Sequence, residues 1–320
     1  MRPRLVFVHG VGKPRDAELV LEEWLRAVTD GARAAGHSRR VVELIGGGAV
    51  DVRFASYGDL FPAHGAPGRV SAAPVEPSED EELWEILLNG VDERLAAPQD
   101  DYEAQLLRLT RNKLAPTGEE QGTGDILRRL SAGANALFAL PGLRTLGGWA
   151  SGAAMLGDLR QVRWYLARKH VDEAGCGIDE RIRARVAAEL DPSGPTVVVA
   201  HSLGTVVAFE TLQEHPAQVP LLVTLGSPIG MRTAVHPRMR PQPVRTPAVV
   251  GRWLNFWDRD DFVTGGVGLE RCVAPNASAV APVSRRVDSD GLYVHPAAKY
   301  LAQPAVAGPL VEALDAATVG

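Results

Sequence analysis

Short apolar runs rich in β-branched residues recur along this chain with helix-forming stretches between them, and this alternation restricts the fold more than any other feature. Leu5 to His9, Val50 to Ser56, Thr196 to Ala200, Leu221 to Leu225 and Trp253 to Trp257 are each a strand's length. Strands that are apolar on both faces belong in a mostly parallel sheet covered by helices on its two sides. The first covering helix is predicted over Ala17 to Ala35, where Leu19, Leu21, Trp24, Leu25 and Val28 form an apolar stripe and Gly36 supplies the stop. The expected class is α/β, a mostly parallel central sheet flanked by helices.

Composition agrees with a globular chain and narrows its partners. With 320 residues, 45% hydrophobic and 23% charged, the chain can bury a large core in one big domain or two smaller ones. A net charge of -5 leaves no basic field for a phosphate backbone, so nucleic acid is not an expected partner. Cys176 and Cys272 lie far apart and in no metal-ligand spacing, which reads as two reduced thiols. No HExxH pattern or Cys/His ligand set occurs, so neither a metal nor a cofactor is expected. Met1-Arg2-Pro3-Arg4 runs directly into a strand-length apolar run without a small-residue cleavage site, and a cytoplasmic location is the resulting expectation.

The strand pattern lapses between Leu60 and Val171. Residues 60–171 are read as a largely helical insertion, a lid or cap, in a core formed by residues 1–59 and 172–320. A Pro/Ala/Gly-rich stretch, Phe61 to Pro77, leads into the acidic run Glu79 to Glu82. That run sits where a helix N-terminus favours negative charge, ahead of Leu83, Trp84, Ile86, Leu87 and Val91, and reads as a cap rather than a ligand site. Further helices are predicted at Tyr102 to Leu114 and Ile126 to Leu140. Ala132 to Gly157 carries Arg144 as its one formal charge, but Pro141-Gly142, Gly147-Gly148 and Gly152 break it below the roughly 20 apolar residues of a spanning helix. It reads as a buried helical hairpin, or as a mobile apolar lid with transient membrane or lipid contact.

Where the run Thr196-Val197-Val198-Val199 ends, Ala200-His201-Ser202-Leu203-Gly204 follows and opens into an apolar helical stretch. A serine on a strand-to-helix turn needs near-absent side chains on either side, because the two backbones approach closely there, and Ala200 and Gly204 meet that need. Acyl transfer through such a serine requires a base, an acid that orients it and donors for the oxyanion. In chain order after Ser202 come Asp258, Asp260 and Asp261 beyond the Trp253–Trp257 strand, then His295. Asp261 is the preferred acid because Asp261-Phe262-Val263 returns at once to apolar residues; Asp258 is second, as a carboxylate capping the turn. His295 follows the polar turn Asp288-Ser289-Asp290-Gly291 and precedes a C-terminal helix, from which it can reach over the sheet edge. His170, His215, His236, His37 and His64 are less well placed, and His201 reads as a packed neighbour. The expected oxyanion donors are the backbone N–H groups of Leu203 and of Val11, in the loop His9-Gly10-Val11-Gly12, with Gly12 as the fallback and His9 fixing the loop.

Together these residues resemble the α/β-hydrolase superfamily, in particular serine lipases and esterases with a histidine before the nucleophile. The similarity covers Leu5–Gly12, Thr196–Leu212, Leu221–Pro228, Trp253–Val263 and His295–Tyr300. Asn255, Asp258, Asp261 and Val263 fit the acid-strand pattern of those lipases, and the pair His295 and Tyr300 is similar too. The resemblance implies an eight-stranded, mostly parallel sheet with a Ser-His-Asp triad at its carboxyl edge. Two features depart from it: Ala200 replaces the usual glycine, and the insertion precedes the nucleophile strand, so no substrate carries over. The expected activity is hydrolysis of carboxylic esters of small-molecule or lipid-like acyl substrates with apolar or bulky groups. A thioesterase or acyltransferase would use the same residues, and a catalytically inactive binding or membrane-associated scaffold is the third reading.

Overall fold

The computed structural model describes residues 2–11, 16–61, 79–116, 123–137, 152–289 and 294–319. Its centre is a six-stranded sheet in the order β2-β1-β3-β4-β5-β6, formed by β1 (Arg4–Val8), β2 (Asp51–Ala55), β3 (Thr196–His201), β4 (Leu222–Leu225), β5 (Trp253–Asp258) and β6 (Pro282–Val287). Every neighbouring pair is parallel. In register, Val8 stands beside Ala200, Ala200 beside Thr224, Thr224 beside Asn255 and Asn255 beside Ser284. Among the described residues the sheet has six parallel strands where eight are expected, and β6 is an addition to the five predicted. Pro282-Val283-Ser284-Arg285-Arg286-Val287 has no unbroken apolar run because it is an edge strand, and Val283, Arg285 and Arg286 are exposed on it.

Helices cover both faces. α1 (Ala17–Ala34), α2 (Ser38–Val41), α9 (Ala297–Leu301) and α10 (Pro304–Val319) lie on the side to which Leu5, Phe7, Val197 and Val199 point. α7 (Ile178–Ala187) and α8 (Leu203–Glu214) cover the side of Val6, Val8, Val198 and Ala200. This two-sided cover is why β3 is buried along its whole length and reads as a continuous apolar run. α1 ends one residue before its expected limit, and Gly36 takes a φ of +89°, the left-handed turn that stops it.

Between β2 and α7 the described residues hold no strand. α3 (Glu79–Leu95), α4 (Asp101–Leu114), α5 (Thr123–Leu137) and α6 (Gly152–Ala167) pack around a separate apolar cluster that includes Leu83, Leu87, Leu107, Leu114, Leu130 and Leu156. Residues 138–151 of the expected apolar hairpin, and 138–140 of the expected third insertion helix, lie outside the described residues. Glu79 to Glu82 do open α3, and they also bind the far end of the segment: Glu82 pairs with Arg163 at 2.7 Å and Lys169 at 2.6 Å, and Glu79 with Arg163 at 3.1 Å. The C-terminal half of α6 joins the sheet body, where Trp164, Tyr165 and Leu166 are buried. Just beyond it, Arg168 pairs with Glu210 of α8 at 2.6 Å and Tyr165 donates to the same carboxylate at 2.7 Å. Among the described residues no helix is long and apolar enough to cross a membrane, and both cysteines are free thiols.

Candidate active site

The strand order reverses direction between β1 and β3, a switch point of the kind at whose carboxyl edge open α/β sheets bind ligands. Ser202 occupies that point, immediately after β3 and before α8. Its φ of 53° and ψ of -132° lie outside the ordinary regions for a residue with a side chain, at a cost of about 1–3 kcal/mol. Three hydrogen bonds of about 0.5–1.5 kcal/mol each hold it there and offset the strain. Its N–H donates to Leu225 O at 3.0 Å, and its carbonyl accepts from the Thr205 amide at 2.9 Å and the Thr205 hydroxyl at 2.8 Å.

Of the small neighbours anticipated around the serine, Gly204 is sterically required. A Cβ on Gly204 would meet Val8 O at 2.6 Å, so α8 crosses the end of β1 in backbone contact. A Cβ on Gly10 would meet Ser202 Cβ at 2.7 Å and Oγ at 3.4 Å. The loop after β1 therefore runs directly beside the hydroxyl, with Val11 next in sequence and half-buried. The carbonyl of His9 is held by the Tyr57 hydroxyl, and its Nδ1 lies 3.0 Å from Gly10 O. Leu203 is the first residue of α8, where backbone N–H groups have no partner inside the helix. Gly12 lies outside the described residues.

His295 Nε2 stands 3.1 Å from Ser202 Oγ, and its Nδ1 stands 2.8 Å from Asp261 Oδ2. The structure thus brings Ser202, His295 and Asp261, far apart in sequence, into one buried hydrogen-bonded chain. Asp261 has no exposed surface and accepts twice more, from the Val263 amide at 3.1 Å and the Tyr300 hydroxyl at 2.8 Å. Tyr300 must donate to the carboxylate, because its oxygen accepts from the Asp258 amide at 3.0 Å. Burial, and then the Asp261 charge, push the Tyr300 phenol well above its ordinary value and keep that proton on oxygen. The carboxylate of Asp261 accepts in its contacts with the Val263 amide and the Tyr300 hydroxyl, and as an acceptor toward His295 as well it puts a proton on Nδ1 and leaves Nε2 free to accept from the serine.

Asp258 has a different task. Its carboxylate accepts from the Asp260 amide at 2.9 Å and the Ser289 amide at 2.7 Å, closing the turn and tying it to the segment after β6. Asp260 is exposed. His236 bonds Cys272 O, while His37 and His170 face Glu312 and Glu79; His64 lies outside the described residues.

Two contributors escaped sequence reading. Gly226, after β4, has a φ of +53°, and a Cβ there would lie 2.8 Å from Asp261 Oδ2 and 3.2 Å from His295 Nδ1. Only a residue without a side chain leaves room for Asp261 and His295 to meet, and the sole sequence signal is a glycine at a strand end. His201 does more than pack, since its Nε2 lies 2.7 Å from the carbonyl of His295. Among the described residues no group of three or more His, Cys, Asp or Glu is arranged to hold a metal ion.

Comparison of the chain with protein-family models, with curated proteins and with solved structures found no match.

Proposed function

We propose that this chain is a serine hydrolase of the α/β-hydrolase type, cleaving carboxylic esters of apolar or bulky acyl groups through an acyl-serine intermediate. The observation that carries this reading is the hydrogen-bonded sequence Asp261–His295–Ser202, ending on a serine in a strained turn. The Ser202 hydroxyl oxygen attacks the acyl carbonyl carbon while its proton moves to His295 Nε2. Asp261 stays an acceptor and stabilises the imidazolium. The oxyanion of the tetrahedral intermediate accepts from the Leu203 and Val11 amides. As the intermediate collapses, His295 returns the proton to the departing alkoxide, which leaves as an alcohol. Water, deprotonated in turn by His295, releases the acid and restores the serine.

In this reading residues 1–59 and 172–320 form the catalytic core, and residues 60–171 form a helical cap that shapes the acyl site. No cofactor takes part. The test is turnover of short p-nitrophenyl esters together with labelling by a fluorophosphonate. Ser202→Ala is expected to abolish both, and a variant that still labels would overturn the assignment. Supplying an alcohol or thiol acceptor and measuring transferred against hydrolysed product distinguishes a hydrolase from an acyltransferase.

A further inference from the structure

We propose that His201 is a positioning residue for this site: its Nε2–H donates to the main-chain carbonyl of His295 and so holds the base in line with both Ser202 and Asp261. The inference rests on the reading of Ser202, His295 and Asp261 just given, and adds a fourth side chain on which that alignment depends.

The strand explains why this position can do so. Side chains alternate along β3, so His201 projects to the same face as Val197 and Val199, the face on which α9 packs through Ala297, Tyr300 and Leu301. His295 lies two residues before α9. The residue preceding the serine is thus the one that meets the segment carrying the base. The carbonyl can only accept, so the Nε2 contact at 2.7 Å requires the proton on Nε2 of His201. Burial first, then the neighbouring His295 and His9 rings, hold the His201 imidazole well below its ordinary value, so the ring is a neutral, single-proton donor. Its orientation is set by Trp24, edge-on at 6.1 Å between ring centroids, and its ring lies 4.6 Å from that of His295.

The consequence follows from the geometry of His295. Its ring must reach Asp261 Oδ2 and Ser202 Oγ at once, and its main chain is what His201 grips. A displacement of about 1 Å at a reacting group costs on the order of a hundredfold in rate. Apolar packing alone would fill the space beside His295 without fixing its carbonyl.

The test compares His201→Phe, which keeps a ring and loses the donor, with His201→Gln, which keeps an N–H donor. Turnover is normalised to the serine titrated by a fluorophosphonate. His201→Phe is expected to lower kcat about ten- to a hundredfold with KM within about twofold, and His201→Gln to recover most of that loss. His201→Met replaces the Phe variant if the latter does not fold. Independently of turnover, the downfield proton resonance of His295 Nδ1–H is expected to shift or broaden in the donor-less variant and to return in His201→Gln. Wild-type kcat with an unshifted resonance in the donor-less variant would overturn the inference, as would equal impairment of both variants at unchanged Tm. Should wild-type protein show no Ser202-dependent turnover, the hydrolase reading fails, while the resonance comparison still decides the role of His201.

Discussion

The carboxyl edge of the sheet and the helical segment 79–167 are both well packed, but they are held by different forces. At the edge, Ser202, Asp258, Asp261, His295 and Tyr300 are buried polar side chains whose contacts are mutual or directed at backbone. A buried polar group without a partner costs about 1–3 kcal/mol, so each of these residues admits one arrangement and fixes the next. The helical segment instead is centred on an apolar cluster of leucines and its neighbours, with partly exposed ion pairs at the margin and two buried arginines, Arg94 and Arg163, paired where the segment closes on itself. Leucine contacts tolerate small slips, since their energy depends on area rather than direction. Precision in this molecule is therefore concentrated where directional bonds are buried, and bulk is supplied elsewhere.

The two regions meet at a small number of directional contacts. Arg94 of α3, itself buried, pairs with Glu103 at 2.9 Å and donates to Arg259 O at 3.1 Å, in the turn between Asp258 and Asp261. Gln99 donates to the same carbonyl. Glu93 accepts from the amides of Arg232 at 2.7 Å and Thr233 at 3.1 Å. The helices thereby grip the loops that follow β4 and β5, the same loops that carry Gly226 and Asp261.

The sharpest way to break this contrast is to remove direction from one buried bond. Asp261→Asn should leave the protein folded and lower kcat by about a thousandfold or more, because the base loses its acceptor and its tautomer. Asp258→Asn should act mainly on thermal stability, since Asp258 closes a turn and does not touch His295. If both variants lost activity equally at unchanged Tm, the division of labour between the two carboxylates would be wrong. A weaker perturbation is Gly226→Ala, which puts a methyl group 2.8 Å from Asp261 Oδ2 at a positive φ. It should cost about 1–3 kcal/mol of stability and lower kcat about ten- to a hundredfold, readable in a denaturant melt beside steady-state kinetics. Unchanged kinetics in that variant would show that the edge tolerates slips as leucine packing does.

Arg94→Met probes the junction. Arg259 O and Glu103 each lose a buried donor, so stability should fall by about 2 kcal/mol or more, with kcat reduced less than about tenfold. A kcat loss as large as that of Asp261→Asn would mean that the helical segment, and not the sheet edge alone, sets the position of the acid.

The smallest expected effect is a pH slope. Burial lowers the affinity of His201 for a proton in the folded state, and His215 shifts in the same direction for the same reason. Below the ordinary histidine value of about 6.5 the unfolded chain binds protons that the folded chain refuses. Stability from these residues is therefore complete above that value and declines as pH falls through it. Melting temperatures between about pH 8 and pH 5 should show the decline, and His201→Phe should flatten it. A slope unchanged in that variant would assign the effect elsewhere.

Much of this architecture is legible in single stretches of sequence, and the parts that are not share a physical cause. β3 can be read because both of its faces are buried, which demands an unbroken apolar run; of the two edge strands β2 still alternates apolar residues with Asp51 and Arg53, whereas β6, with exposed Val283, Arg285 and Arg286, carries no such pattern. Ala200 and Gly204 announce the serine turn because they stand within two residues of the serine in one short stretch, even though the atoms that exclude a side chain at Gly204 are the distant Val8 and His9 carbonyls. Gly226 excludes a side chain with equal force, but against residues from two other loops, and leaves no local pattern. Glu210 likewise sits unannounced in the apolar helix α8, where its partners Tyr165 and Arg168 come from the end of α6 and the residues just beyond it.

The α/β alternation, the buried parallel strands and the small residues flanking Ser202 can be read from short stretches of the chain, because burial on both faces and crowding at a strand-to-helix turn dictate residue type there. Three-dimensional packing alone fixes that six strands pair among the described residues, that Asp261 faces His295 while Asp258 closes the turn, and that His201 and Gly226 lie against His295. Hydrogen bonds between distant segments depend on distance and angle in space, and no periodicity along the chain encodes them.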